Sequence, residues 1–280
     1  MQESVNLRNL VTRWRARSRE RDLRSHNLGG IARVSFRYCL IFGFFSYTMK
    51  YLSVIDEKIR ETFALTPYNF FTEHDIHSEI SHIASNFLIE NDELSIKTRD
   101  GKKVGRIHHE YPTPFRCYMK GSEFRLVTEE EFEDLRKKKR DNDMRINVRR
   151  GHFDVVIFSK NYLENNIFLT ITGKDYDQLK DTFKETKESV LDLAIEVVYF
   201  LGLHEDKPHL GIMDRFIKSI IQDYKKLQEL MAFKVNGEPF CKEAVMMVFA
   251  NTPYKNKVME KIRNIEKADQ VKLFIYINEA

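Results

Sequence analysis

Glycine is scarce in this chain, 11 of 280 residues, or about 4% where soluble proteins average about 7%. A glycine-rich phosphate cradle or a collagen-like repeat is therefore not expected. The three cysteines, Cys39, Cys117 and Cys241, are odd in number and far apart. That excludes a disulfide framework and a cysteine zinc site, and it favours a reducing compartment, with the cytoplasm as the default. Long hydrophobic runs are missing too. The longest uncharged stretch, residues 38 to 49, holds 12 residues between Arg37 and Lys50, well short of the ~20 needed to cross a bilayer. No small-residue cleavage site of a secretory signal follows it, so no membrane association is expected.

What is present is a globular composition. Apolar residues make up 42% and aromatics 12%, with a formal charge of only +4, which argues against disorder. The charge is unevenly spread. Residues 1 to 48 carry nine arginines, three acids, no lysine and the single tryptophan, Trp14, whereas from residue 49 onward 25 lysines outnumber 12 arginines. We therefore divide the chain into an Arg-rich N-terminal extension, residues 1 to 48, helical or peripheral and not necessarily native, and a main domain, residues 49 to 280. An arginine arm can grip phosphates by counterion release; an ordinary peripheral helix is the plainer reading.

In the main domain, Ile76, Ile80, Ile83, Ala84, Phe87 and Leu88 recur at helical spacing behind Thr72, a candidate N-cap, which predicts an amphipathic helix. Residues 94 to 97 and 104 to 108 read as a hairpin about Asp100-Gly101. A capping box at Thr128-Glu129-Glu130-Glu131 predicts a short charged helix. Its basic end, Arg136, Lys137, Lys138, Lys139 and Arg140, with Arg149 and Arg150 beyond, is either a solvated helix terminus or a nucleic-acid contact.

Two strands then stand out. Residues 153 to 158 and 193 to 200 are near-continuous apolar runs, each interrupted by one carboxylate, Asp154 or Glu196. Such runs belong to strands covered on both faces, where an ionised acid needs a partner, a metal or a solvated cleft. A long helix with Ile212, Phe216, Ile220, Tyr224, Leu227 and Leu230 on its apolar stripe follows. A strand over 244 to 250, a helix over 253 to 268 and a closing strand over 271 to 277 complete the pattern. Strands alternating with helices point to an α/β domain with a mixed central sheet. Two acids on neighbouring strands would be reconciled by a hard divalent cation, the basis of metal-assisted phosphoryl hydrolysis.

The approach Arg149-Arg150-Gly151-His152-Phe153-Asp154, the strand Ala194-Ile195-Glu196-Val197-Val198 and the helix with Gln222-Asp223-Tyr224-Lys225-Lys226 resemble the PD-(D/E)XK nuclease superfamily, the restriction-endonuclease-like fold, over about residues 70 to 280. In that family a helix, a three-stranded meander, a helix and a further strand form a mixed sheet flanked by helices, and the second and third strands carry an Asp and a Glu-x-Lys. The resemblance implies metal ligation by Asp154, Glu196 and Val197, an added acid at Glu79 on the first helix, and Mg²⁺ or Mn²⁺ as cofactor. It implies hydrolysis of nucleic acid, with DNA the first expectation and the choice between DNA and RNA left open; the basic residues Arg136 to Arg140, Arg149 and Arg150 are then the candidate contact surface.

One position departs from the family. Val198 stands where the lysine belongs, and a valine cannot stabilise charge on water or phosphate. Loss of one such donor costs on the order of 10² to 10³ in rate. Either a lysine on the following helix, Lys218, Lys225 or Lys226, has taken over, or the protein is an inactive nuclease-fold module for nucleic-acid or protein binding. Oligomeric state is left open, with a homodimer as one option.

Other motifs carry less. Thr172-Gly173-Lys174 lacks the rest of a phosphate loop and reads as a turn. His74, His77, His82, His108 and His109 include no HExxH spacing, so zinc is not expected. Glu110 is either an extra acid near the site or a strand-end residue.

Overall fold

The first element among the described residues is a helix, α1 (Tyr47–Leu65), running across the composition break at residue 49. The computed structural model describes residues 47–280 except 67–68, 121–122, 142–146, 168–182, 184, 202–209, 253–254, 264–269 and 279–280. The arginine arm through residue 46 and the turn at Thr172-Gly173-Lys174 lie outside the described residues.

The predicted amphipathic helix is α2 (Glu73–Glu90). The Asp75 carboxylate accepts the Phe71 and Thr72 amides at 2.9 and 2.8 Å, which satisfies donors at the helix start. The expected hairpin is β1 (Ser95–Lys97) with β2 (Lys103–Gly105), and Gly101 in its turn takes φ +83°, a conformation glycine adopts freely. Then come β3 (Ile107–Lys120), β4 (Glu123–Val127) and the charged helix α3 (Glu129–Asp141), where the Glu131 amide donates to Thr128 Oγ1 at 3.2 Å. They are followed by β5 (Asn147–Phe158), α4 (Lys160–Asn165), β6 (Leu191–Leu201) and α5 (Leu210–Ala232). A short hairpin, β7 (Lys234–Val235) with β8 (Glu238–Pro239), leads to β9 (Cys241–Asn251), α6 (Lys255–Arg263) and β10 (Val271–Asn278).

Six strands form one mixed sheet in the order β10-β9-β6-β5-β3-β4. The β6, β9 and β10 strands are parallel, whereas β5 runs antiparallel to both β6 and β3, and β4 antiparallel to β3. Both faces are covered. On one, α1 and α2 pack Ile55, Ile59, Ile80 and Leu88 onto Val155, Ile195, Val197 and Met247. On the other, α5 packs Phe216, Ile220, Tyr224 and Leu227 onto Val156, Ala194, Val198 and Val248. Burial on both sides is why β6 and β9 read as unbroken apolar runs rather than as alternating ones. Among the described residues no helix is long and apolar enough to cross a membrane.

One buried cation ties the first helix face to the sheet. Arg106 is 1% exposed; its Nη1 donates to Glu93 at 2.7 Å, Nε to the Phe158 carbonyl at 2.9 Å, and Nη2 to both Asp192 and the Tyr51 hydroxyl. Lys242 Nζ meets the other Asp192 oxygen at 2.6 Å. Removing one partner of a buried pair leaves an uncompensated charge, at a cost of about 3–5 kcal/mol. Arg106→Met is therefore expected to lower the urea unfolding free energy by about that amount. Lys160→Ala, which removes a more exposed partner of Glu93 at 3.5 Å, should change it by about 0.5 kcal/mol or less. Equal losses in the two variants would contradict this reading of the network.

Candidate functional site

The two intrastrand acids sit where β5 and β6 part. Their ladder runs from Phe158 opposite Leu191 to Val155 opposite Ile195 and pairs no residues beyond. In that register Val197 would face Phe153, but its amide instead donates to Asp154 Oδ2 at 2.7 Å. The neighbouring strand β3 is distorted at the same level. Glu110 lies between His109, opposite Val155, and Tyr111, opposite Phe153, and takes φ +50°, which a non-glycine residue adopts at a cost of order 1–3 kcal/mol. Across this level Phe153 packs into the α5 side of the core and Val155 into the α1/α2 side, although they are two residues apart. The kink turns Asp154 out of the regular alternation and into a gap lined by α2.

On that side, His77 reaches in from α2 (Glu73–Glu90). Its Nε2 is 3.6 Å from Asp154 Oδ2 and 3.8 Å from Glu73 Oε1, a turn earlier on the same helix. The His77 side chain is 5% exposed, yet Nε2 has no hydrogen-bond partner; both carboxylates stand too far away for one. Glu73, His77 and Asp154 form one set of donors whose ligand atoms lie within 4.8 Å of one another, and His74, His77 and Glu110 form a second. The donor set and the orphaned nitrogen fit a divalent ion.

On the α5 side, Glu196 is 1% exposed and pairs with Lys226, whose Nζ is 2.8 Å from Glu196 Oε1 and 3.1 Å from Asp223 Oδ1. The same amine donates to the His152 carbonyl at 2.8 Å. Of the three lysines considered on this helix, Lys218 and Lys225 are exposed and Lys226 is buried. Val198 sits in the core beneath α5, so the cation that its position lacks arrives from the helix above it. Gly151 gives the lysine stem its passage. A Cβ there would lie 3.2 Å from Lys226 Cδ and 2.9 Å from Thr113 Cγ2.

The electrostatics follow from crowding. Glu73, Asp154, Glu196 and Asp223 are four carboxylates against Lys226 and, when protonated, His77. Burial, reinforced by Asp154, pushes the Glu73 carboxyl up to about 7. Burial also raises Glu196 well above the carboxylate range and raises Asp223, with Lys226 opposing in both cases. Asp154 goes the other way: burial works against its charge, but His77, Lys226 and the Val197 amide outweigh it and hold the carboxyl below its usual value. Burial likewise opposes a charged His77, yet Asp154 and Glu73 hold the imidazole above the histidine range. The cluster as built is short of positive charge.

Several residues differ from their expected places. Glu79 lies two positions past His77, about 200° around the helix, and outside both donor sets; Glu73, a full turn before His77, occupies the role expected of it. Lys225 points outward, and Lys226 alone of the pair reaches the acids. Glu196 joins neither donor set, because its carboxylate is engaged by Lys226 and faces α5 whereas Asp154 faces α2. Val197 contributes an amide to Asp154. Of the histidines, His74 and His77 are nonetheless brought together with Glu110, which sits inside β3 rather than at a strand end. Of the basic surface, Lys137 is exposed on α3, and Arg149 and Arg150 lie on β5 in register with Cys117 and Arg116. Arg150 is four residues, about 13 Å along the strand, from Asp154.

Neither family models, nor curated proteins, nor solved structures yield a match to this chain.

Two predictions follow from the crowding. Between its ordinary 4.5 and about 7, Glu73 in the folded protein keeps a proton that the unfolded chain has released, so stability falls as pH rises through that window. In chelator, Glu73→Gln should raise the melting temperature at pH 8 and leave it nearly unchanged at pH 4; a variant equally shifted at both would refute the raised carboxyl. Gly151→Ala should cost about 1–3 kcal/mol by overpacking, with chemical denaturation as the check and wild-type stability as the contrary result.

Proposed function

We propose that this protein is a metal-dependent phosphodiesterase acting on nucleic acid, DNA in the first instance, with a PD-(D/E)XK-like core. The element order supports the fold reading: helix α2, the antiparallel meander β3-β5-β6, helix α5, then strand β9, with Asp154 on the second strand of the meander and Glu196 on the third. The observation that carries the functional reading is the buried Lys226 amine at 2.8 Å from Glu196. A strand acid paired with a lysine is what Val198 by itself would deny.

In this reading Asp154, held by the Val197 amide and turned toward Glu73 and His77, anchors a divalent cation. When bound, such an ion polarises a phosphodiester and lowers the pKa of water to near neutrality. Lys226 stabilises negative charge developing on the phosphate and on the attacking water, an effect strongest in a site shielded from solvent. Its ion pairs with Glu196 and Asp223 fix the amine in place before substrate arrives, so no reorganisation is needed during the reaction. The basic residues of α3 and Arg149 and Arg150 on β5 are the proposed contacts to the nucleic-acid backbone, which they would hold through phosphates without reading sequence.

The alternative, an inactive binding module, drew on Val198 alone. Lys226 offers the missing cation from another element, which favours the active reading. The test is cleavage of duplex and single-stranded substrates with Mg²⁺ and Mn²⁺. Asp154→Ala should abolish cleavage, and Lys226→Met should lower the rate by about 10²- to 10³-fold while binding persists. Lys226→Met combined with Glu196→Gln and Asp223→Asn removes the buried amine together with both acids it pairs and should fold as well as the wild type, yet remain slow. Cleavage surviving Asp154→Ala would refute the site; retained binding without cleavage by the wild type would favour the module.

A further inference from the structure

The nitrogen that nothing satisfies is the informative atom. His77 is carried by a well-formed helix, its side chain is 95% buried by the complement of its 5% exposure, and Nε2 has no hydrogen-bond partner. Buried polar atoms left without a partner are uncommon in folded proteins and call for an explanation such as an ion. The atom faces two carboxylate oxygens at 3.6 and 3.8 Å, one from Asp154 on β5 and one from Glu73 on its own helix. This separation is too wide for hydrogen bonding. It is close to that between two ligand atoms that share an ion.

Ligand spacing discriminates between ions. Nitrogen and oxygen donors at about 2.1 Å around a tetrahedral centre lie about 3.4 Å apart, within a few tenths of an ångström of the observed values. Adjacent oxygen ligands of octahedral Mg²⁺, at about 2.0–2.1 Å, lie about 2.9 Å apart, which would demand a much larger contraction. Chemistry points the same way, since imidazole suits zinc, iron and nickel, while magnesium prefers oxygen and keeps its waters. The geometry points to His77 Nε2 as a direct ligand, with Glu73 and Asp154, in a mixed nitrogen and oxygen site that takes a first-row transition dication in preference to Mg²⁺.

This inference rests on the nuclease reading for its use but not for its existence, because the donor set stands on its own. It assigns Glu73 and His77, two residues one helical turn apart, to the ion itself. The exposed His74 and Glu110 share His77 in the other donor set.

The experiment uses the full chain without nucleic acid and Mn²⁺ as the probe, read by electron spin echo spectroscopy for coupling to ligand nitrogen and by competition with Mg²⁺. The wild type should show nitrogen coupling and should keep its Mn²⁺ when Mg²⁺ is added in excess. His77→Gln should lose the nitrogen signal and at least tenfold in Mn²⁺ affinity, with an unchanged circular dichroism spectrum, whereas His82→Ala, at an exposed histidine of the same helix outside both donor sets, should keep both. Mn²⁺ bound without nitrogen coupling, or no Mn²⁺ bound, overturns the inference. Cleavage measured on the same samples separates the two readings: oxygen-only binding with cleavage leaves the nuclease standing, and nitrogen coupling without cleavage of any substrate removes the nuclease while the metal site survives.

Discussion

Three carboxylates drawn around one buried lysine, with a fourth beside Asp154, set the terms for everything near this site. Asp154, Glu196 and Asp223 all feel Lys226, and Glu73 feels Asp154. A folded domain cannot hold such a group ionised in a low-dielectric interior without more positive charge, since burying an unpaired carboxylate costs far more than most single interactions contribute. In the free protein this deficit pushes the Glu73 and Glu196 carboxyls up and holds the His77 imidazole above its usual range, the directions in which bound protons offset it. A divalent cation would offset it without them.

The fold makes this crowding possible by interrupting itself. Where β5 and β6 stop pairing, a backbone amide becomes available to the Asp154 carboxylate, and where β3 kinks at Glu110 the strand changes the face it presents. The same irregular level brings α2 to one side of the sheet and the Lys226 stem to the other, through the gap left by Gly151. Around it the structure is regular and apolar, which keeps water out and makes each charge interaction stronger than it would be at the surface. The Arg106 network is the contrasting case, because there each acid has its cation and the result is a fastener between layers.

Much of the fold was legible in the sequence. The unbroken apolar runs around Asp154 and Glu196 announced doubly covered strands, Thr72 and Thr128 marked helix starts, and the stripe from Phe216 to Leu230 set the buried face of α5, whereas Ile212 at its start is exposed. Beyond the predicted 104 to 108, the rest of β3 and all of β4 were missed, because the prolines Pro112 and Pro114 argue against a paired strand. They fall at the register shift between Pro112 and Arg116, where the ladder is irregular.

The site was legible in part. A lone acid in a greasy strand is visible in one dimension, so Asp154 and Glu196 could be named. That Lys226 rather than Lys225 turns inward follows from helical phase, since Lys226 lies four residues before the core residue Leu230 whereas Lys225 lies four before Glu229; this signal was available. Glu73 and His77 share a helix face at i and i+4, but nothing in the spacing says that the face meets a strand carboxylate. That depends on how α2 docks on the sheet. The kink at Glu110 and the tight passage at Gly151 are tertiary facts with no local signature.

The most direct measurement is an anomalous difference map from crystals of the full chain grown with Mn²⁺. A single strong peak in contact with Asp154, and within ligand distance of Glu73 and His77, is the predicted result. An empty map at that position, with the ion absent or bound elsewhere on the surface, would contradict the reading of this cluster as a cation site.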